Sequence, residues 1–237
     1  MPGLSQPNRE AEILRLWESA GTLDRRARED ALLAARDRVP ARLGARNLGL
    51  LALRQALFDR PWSLRAGCPA CGADCGFDIH AGSLLEALEP TEPVDALTLD
   101  WRGHEVQLRP PEVEDLEAIA SIDDVREASL ALIARCAGGA MDFSDASAAE
   151  LEAIEAQLAL LDPAALVSFE LSCPECSAQW SAGLDIGDTL WREVQQAAEE
   201  TLLSVDALAR QYGWTESEIL SLSPLRRAAY LQLGDAS

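Results

Sequence analysis

Two short stretches, "GCPACGADCGFDI" beginning at Gly67 and "SCPECSAQW" beginning at Ser172, each contain the pattern C-P-x-C, and together they hold all but one of the chain's 6 cysteines. Two thiolates three positions apart on a tight turn bind one ion together, and two such turns fill the tetrahedron of a closed structural zinc site. Proline after the first cysteine stiffens each turn, and Gly72 after the second cysteine of the first turn permits left-handed backbone. Cys68, Cys71, Cys173 and Cys176 are therefore the expected ligands of one structural Zn2+ per chain.

About a hundred residues separate Cys71 from Cys173, and closing so long a loop costs little more entropy than closing a short one. Two readings compete with a shared ion. The knuckles can be separate and metal-free, with their cysteines acting as small apolar residues. They can also be redox C-x-x-C pairs, a reading weakened because neither opens a helix. Cys75 is either an alternative ligand or a buried thiol beside a strand. Cys136 falls on the apolar stripe of a helix with Val125, Leu132 and Ile133 and is expected in a core, while His80 and His104 fit ordinary surface or hairpin positions.

Residues on both sides of each knuckle alternate as strands do. Leu97, Leu99 and Trp101 alternate up to Arg102 and Gly103, and Val106 and Leu108 resume beyond them, which predicts a hairpin. Elsewhere the period is helical. Residues 9–58 read as three short helices, with Thr22 as a cap. Val113, Leu116 and Ile119 give one face of a later block, and Ser147 with Glu150 forms a capping-box pattern before Leu151, Ile154 and Leu158. From Thr189 a long helix carries Leu190, Val194, Ala198, Leu202, Val205, Leu208 and Tyr212 on one stripe and ends at Gly213. Thr215 caps a short helix, and Ser223 with Pro224 opens a last one holding Leu225, Ala229 and Leu233.

The expected fold is α+β and mostly helical, with helical ends around a small antiparallel sheet forming a split zinc ribbon. The expected segments are 1–62, helical; 63–187, the ribbon region with a helical insertion at about 110–163; and 188–237, the long helix with a helical hairpin.

Lys and Arg total 20 against 40 Asp and Glu, a formal charge of −20 that repels phosphate backbones. A helix-turn-helix can be drawn through the last helices, making a zinc-ribbon nucleic-acid-binding regulator the alternative reading. Its recognition helix would offer only Arg226 and Arg227. With 2 histidines, no phosphate loop and no nucleophile motif, an enzyme is not expected. The start shows no secretory pattern and no run reaches membrane-spanning length, so a cytoplasmic protein is expected.

The run "YGWTESEILSLSPLRRAAYLQL" resembles the tail of the T4-like phage baseplate hub assembly chaperones and of related proteins encoded with phage-like contractile injection systems. The matching residues are Tyr212, Gly213, Trp214, Glu218, Ile219, Leu220, Leu222, Arg226, Arg227, Tyr230 and Leu231. Shorter patches, "LRLWESAG", "LLALRQALF", "VQLRPPEVEDLEAI" and "SCPECSAQWSAGLDIGDTLWREV", are similar to the injection-system members. The resemblance implies assembly of a contractile tail baseplate without catalysis, with baseplate, hub or spike proteins as partners. It makes Trp214, Leu222, Arg226, Arg227, Tyr230 and Leu231 the candidate partner surface. Internal packing against the long helix is an equal use for the same aromatics and leucines.

Overall fold

The computed structural model describes residues 6–88, 94–139 and 141–235. Residues 1–5, which open the segment read above for a secretory signal, lie outside them. In chain order the elements begin with helices α1 (Gln6–Ala20), α2 (Arg25–Ala34) and α3 (Leu43–Leu57), then strands β1 (Trp62–Gly67) and β2 (Asp74–Ile79) and helix α4 (Ala81–Leu88). Strands β3 (Leu97–Trp101) and β4 (His104–Leu108) lead to helices α5 (Val113–Ile119), α6 (Val125–Cys136) and α7 (Ala148–Leu161). Strands β5 (Ser168–Ser172) and β6 (Gln179–Gly183) precede helices α8 (Ile186–Tyr212), α9 (Glu216–Ser221) and α10 (Pro224–Asp235).

The molecule is thus mixed helix and antiparallel strand. The strands form three separate two-stranded ribbons, β1–β2, β3–β4 and β5–β6, where a single small sheet was expected. Each is an antiparallel hairpin whose short loop pairs consecutive strands with one another. At the β3–β4 turn, Arg102 and Gly103 both take positive φ, 54° and 83°, the conformation that matches the twist of a two-residue hairpin.

The chain groups into two compact units. One comprises residues 1–38, 50–61 and 185–237, so the two helical ends of the chain belong together; the other comprises residues 39–49 and 62–184.

In the first unit, α1 packs on α2, α8 and α9, and α8 receives α9 and α10. Asp24, not Thr22, caps α2 by accepting the Ala27 N–H, and Asp185 caps α8 through the Asp188 N–H, so that α8 begins at Ile186, three residues before the expected Thr189. Along α8, Leu190, Val194, Ala198, Val205 and Leu208 are buried as their spacing predicts, and Gly213 ends the helix at φ 69°. The expected capping box of Ser147 with Glu150 forms at the start of α7, and Thr215, expected as a cap, forms one with Glu218. Arg54 is 1 % exposed; its guanidinium forks onto both oxygens of Glu193 at 3.0 Å and donates to the carbonyls of Arg60 and Pro61.

In the second unit, one core joins Trp101, Val106 and Leu108 of the hairpin to Ile133 and Cys136 of α6, Phe143, and Leu151, Ile154 and Leu158 of α7. Cys136 is in that core as expected. Val125 is not: it sits at the first turn of α6, 81 % exposed, before the helix reaches the core. Leu116 is likewise exposed, and the buried residue of α5 is Asp115, whose carboxylate takes both Arg109 nitrogens, Arg135 Nε and the Glu112 N–H.

Both ends of the helical insertion are tied to residues 39–49. Leu43 N–H donates to the Pro111 carbonyl and Val113 N–H to that of Ala41. Gly44 N–H, one of the orphan donors at the start of α3, donates to the Asp162 carboxylate at 2.9 Å, and Asn47 donates to Ala164 O. The entry and exit of the insertion are therefore held to one short stretch, and the exit leads directly into β5 and the second knuckle.

Candidate metal centre

The loops of two ribbons carry the cysteines. Strands β1 and β2 end in register at Gly67 and Asp74, leaving Cys68–Ala73 as their loop; β5 and β6 end at Ser172 and Gln179, leaving Cys173–Ala178. The two loops have the same internal bonding. Cys68 N–H donates to Ala73 O and Gly72 N–H to Cys68 O, at 2.8 and 2.9 Å; Cys173 N–H donates to Ala178 O and Ser177 N–H to Cys173 O, both at 2.9 Å. Gly72 (φ 75°) and Ser177 (φ 59°) occupy the same left-handed position. Next to the loops, Phe77 of β2 meets Phe169 of β5 edge-on, with ring centroids 5.3 Å apart, which holds the two ribbons together.

The sulfurs of Cys68, Cys71, Cys173 and Cys176 all lie within 4.8 Å of one another. Cys68 Sγ is 3.7 Å from Cys176 Sγ and Cys71 Sγ is 3.6 Å from Cys173 Sγ, so the first cysteine of each knuckle faces the second of the other. A tetrahedron with bonds of about 2.3 Å from metal to sulfur has edges of about 3.8 Å, which these separations match. A disulfide needs about 2.05 Å, and all six cysteines are free thiols. The four residues can hold one metal ion in a closed, all-sulfur shell.

Backbone donors suit the thiolate forms. The Ala73 N–H points at Cys71 sulfur and the Ala178 N–H at that of Cys176, a further match between the loops. The Cys176 N–H, followed by that of Glu175, draws the Cys173 thiol down to about 6. At Cys71 the Ala73 N–H pulls the same way, but the thiols of Cys176 and Cys173 beside it prevail and push it up to about 12. Without a cation, four adjacent thiols cannot all ionise, and a divalent ion would stabilise the thiolates together.

Cys68 and Cys173 are buried while Cys71 and Cys176 reach the surface. The buried side is closed by Ala73, Ala178, Trp180 and Cys75. Cys75 lies on β2 opposite Ala66, outside the four-sulfur group. His80 precedes α4, a helix with no counterpart in the sequence reading, and His104 starts β4; neither joins the group.

The C-terminal candidates lie in the first unit. Tyr212, Trp214 and Tyr230 form one aromatic cluster, with Trp214 stacked on Tyr212 at 4.7 Å and Tyr230 edge-on to both. They pack with Leu231 and Leu220 against Val205, Leu208 and Ile219. Leu222 is half-buried, and its carbonyl accepts from Arg227. Arg227 departs from its expected place on a partner surface. It is 4 % exposed, and its guanidinium is engaged by Glu10 and Leu222 O. Arg226 is exposed. Leu225 and Leu233, expected on the packing stripe of α10, face outward, because the aromatic cluster and Arg227 take the inner face.

Among the described residues no helix is long and apolar enough to cross a membrane. Comparison of the chain with protein-family models, with curated proteins and with solved structures finds no match.

Proposed function

We propose that this chain is a non-enzymatic assembly factor or structural adaptor for the baseplate of a phage-like contractile injection system, acting in the cytoplasm, with one structural Zn2+ in a split zinc ribbon. The observation that carries the structural role is the four-cysteine group itself. Every position of a tetrahedral ion is taken by a side chain of this protein, which leaves none for substrate or water. Four thiolates in this geometry select zinc or iron, and zinc needs no redox partner. Its chemistry here is to join two loops distant in sequence.

The baseplate reading is supported by the run from Tyr212 to Leu231. Its aromatics build the aromatic cluster against α8, so they maintain the shape of the C-terminal segment. We assign the partner surface to the outward side of α10, at Leu225 and Arg226. Nucleic-acid binding through α10 loses support, since Arg227, one of only two cations on that helix, is bonded to Glu10. Co-expression with the hub, spike and baseplate proteins of such a particle tests the proposal. Stable co-purification with one of them is expected, and a chain that ignores all of them refutes it. A salt-dependent gel shift with the baseplate proteins absent would favour the nucleic-acid reading.

A further inference from the structure

We infer that the four-sulfur group is also an oxidation site: hydrogen peroxide converts its two facing pairs, Cys71 with Cys173 and Cys68 with Cys176, into disulfides that displace the ion and take over its task of joining the two loops. The inference rests on the metal reading above.

Three observations lead there. The sulfurs that face one another belong to different knuckles, 3.6 Å apart for Cys71 and Cys173 and 3.7 Å for Cys68 and Cys176. Each facing pair joins one surface cysteine to one buried one, so an oxidant from solvent reaches Cys71 and Cys176, with Cys173 and Cys68 standing behind them. The loops are also held together by contacts that need no ion. Phe77 lies edge-on to Phe169, and the Gly44 N–H and Asn47 bind the end of the insertion at Asp162 and Ala164. The pairs therefore stay opposed while their bonds to the ion are lost.

A sulfur bound to a divalent ion is a thiolate, the form that attacks peroxide. Cys71 Sγ takes one oxygen from hydrogen peroxide, the O–O bond breaks, the sulfur becomes a sulfenic acid and the other oxygen leaves as water. Cys173 Sγ then attacks Cys71 Sγ; the S–S bond forms, the S–O bond breaks and the hydroxyl leaves as a second water. Two thiolates, one peroxide and two protons thus give one disulfide and two waters, with two electrons passing from the sulfurs to the peroxide. Cys176 and Cys68 repeat the sequence. Closing each pair to the S–S length of about 2.05 Å moves each sulfur by less than about 1 Å. A disulfide has no thiolate charge to offer a cation, so the four residues release their ion. Cys75 donates to Ala73 O and lies outside the four-sulfur group, so it has no place in either pair.

The test is peptide mapping of the zinc-loaded full-length protein before and after hydrogen peroxide, with Cys75→Ser/Cys136→Ser in parallel so that only the four ligands can react. Trypsin cutting after arginine places Cys68 and Cys71 in residues 66–102 and Cys173 and Cys176 in residues 136–192, and the chain has no lysine to divide them further. The expected result is loss of the bound zinc, the two peptides joined in one species that dithiothreitol separates, recovery of zinc binding on that reduction, and the same behaviour in the double variant. Zinc lost with the two peptides separate, whether as disulfides within each knuckle or as sulfinic acids, overturns this inference alone. Zinc retained on unmodified thiols overturns it too, as does a joined species that the double variant cannot form. A reduced wild-type chain that takes up no zinc overturns the metal reading, and this inference falls with it.

Discussion

The sulfur of Cys68 stands 3.7 Å from that of Cys176, 108 residues further along the chain. No metal-free arrangement of thiols gains much from that proximity, since an S–H is a weak donor, whereas a cation gains from all four at once. Zinc analysis of protein purified without chelator should therefore give one equivalent per chain. Cys68→Ser or Cys173→Ser should fall well below that, with a broadened thermal transition. Full zinc content in either variant would show that the four sulfurs do not act as one site.

Gly72 and Ser177 hold the same left-handed position in the two loops, but only Ser177 carries a Cβ there. A Cβ at Gly72 would meet nothing within 4 Å, so Gly72→Ala tests backbone strain alone; it should cost about 1 kcal/mol. Ser177→Gly should relieve strain and gain up to about 1 kcal/mol, the added chain entropy offsetting part of it. Denaturant unfolding of the zinc-loaded proteins reads both, and the opposite signs are the diagnostic.

Burial alone would raise the Asp115 carboxyl, but Arg109, the Glu112 N–H and Arg135 outweigh it and hold it at about 2. Its folded value lies below the ordinary carboxylate value of 3.8, so its contribution is present above that value and lost as pH falls through about 2. That contribution is about 1 to 2 kcal/mol once solvent screening at the half-exposed arginines is allowed for. The stability gap between wild type and Asp115→Asn should shrink by this amount between pH 5 and pH 2 (about one to two units either side of the unfolded titration). Because both proteins carry the same cysteines, acid release of metal cancels in the difference.

Arg54 and Glu193 form a buried bidentate pair. Removing Arg54 takes the bidentate partner from Glu193 and leaves it Arg60 at 3.2 Å, and removing Glu193 takes the carboxylate from the buried guanidinium, so Arg54→Leu should cost about 3 kcal/mol and Glu193→Leu a similar amount. The double variant should lose much less than the sum. Additive losses would mean that the contacts of Arg54 with Arg60 O and Pro61 O matter more than the ion pair.

The two sides of α10 should separate cleanly. Tyr230→Ala removes an aromatic packed on Tyr212 and Trp214 and should cost about 2 to 3 kcal/mol. Leu225→Glu and Arg226→Glu change outward side chains and should stay within about 0.5 kcal/mol of wild type while weakening co-purification with whichever hub, spike or baseplate protein the wild type retains. Unchanged co-purification would move the partner surface elsewhere.

Spacing made the local parts readable. Cys68-Pro69-Ala70-Cys71 and Cys173-Pro174-Glu175-Cys176 specify their turns with residues three positions apart. The Ser147 and Thr215 capping boxes, the left-handed end at Gly213, the stripe of α8 and the Arg102-Gly103 turn are likewise settled within a few residues. The cap at Asp24, the early start of α8 and helix α4 were local features that the spacing did not single out, whereas the misplaced Leu116, Leu225, Leu233 and Arg227 depended on which face of an element meets a neighbour. Leu225, Ala229 and Leu233 make as good a helical stripe as Arg227, Tyr230 and Leu231, and the second face is chosen because Glu10, Tyr212 and Trp214 are there to receive it.

By itself, then, the sequence determined two thiolate knuckles of the same design and the helices and hairpins around them, since turn and helix propensities act over a few residues. The tertiary structure decided that the knuckles meet, with Phe77 on Phe169 and residues 39–49 holding both ends of the insertion. It also decided that Cys75 faces the site, that Arg54 and Asp115 are buried with partners, and that Arg227 turns inward. Each of these depends on contacts that burial creates between residues remote in the chain, and no local pattern records them.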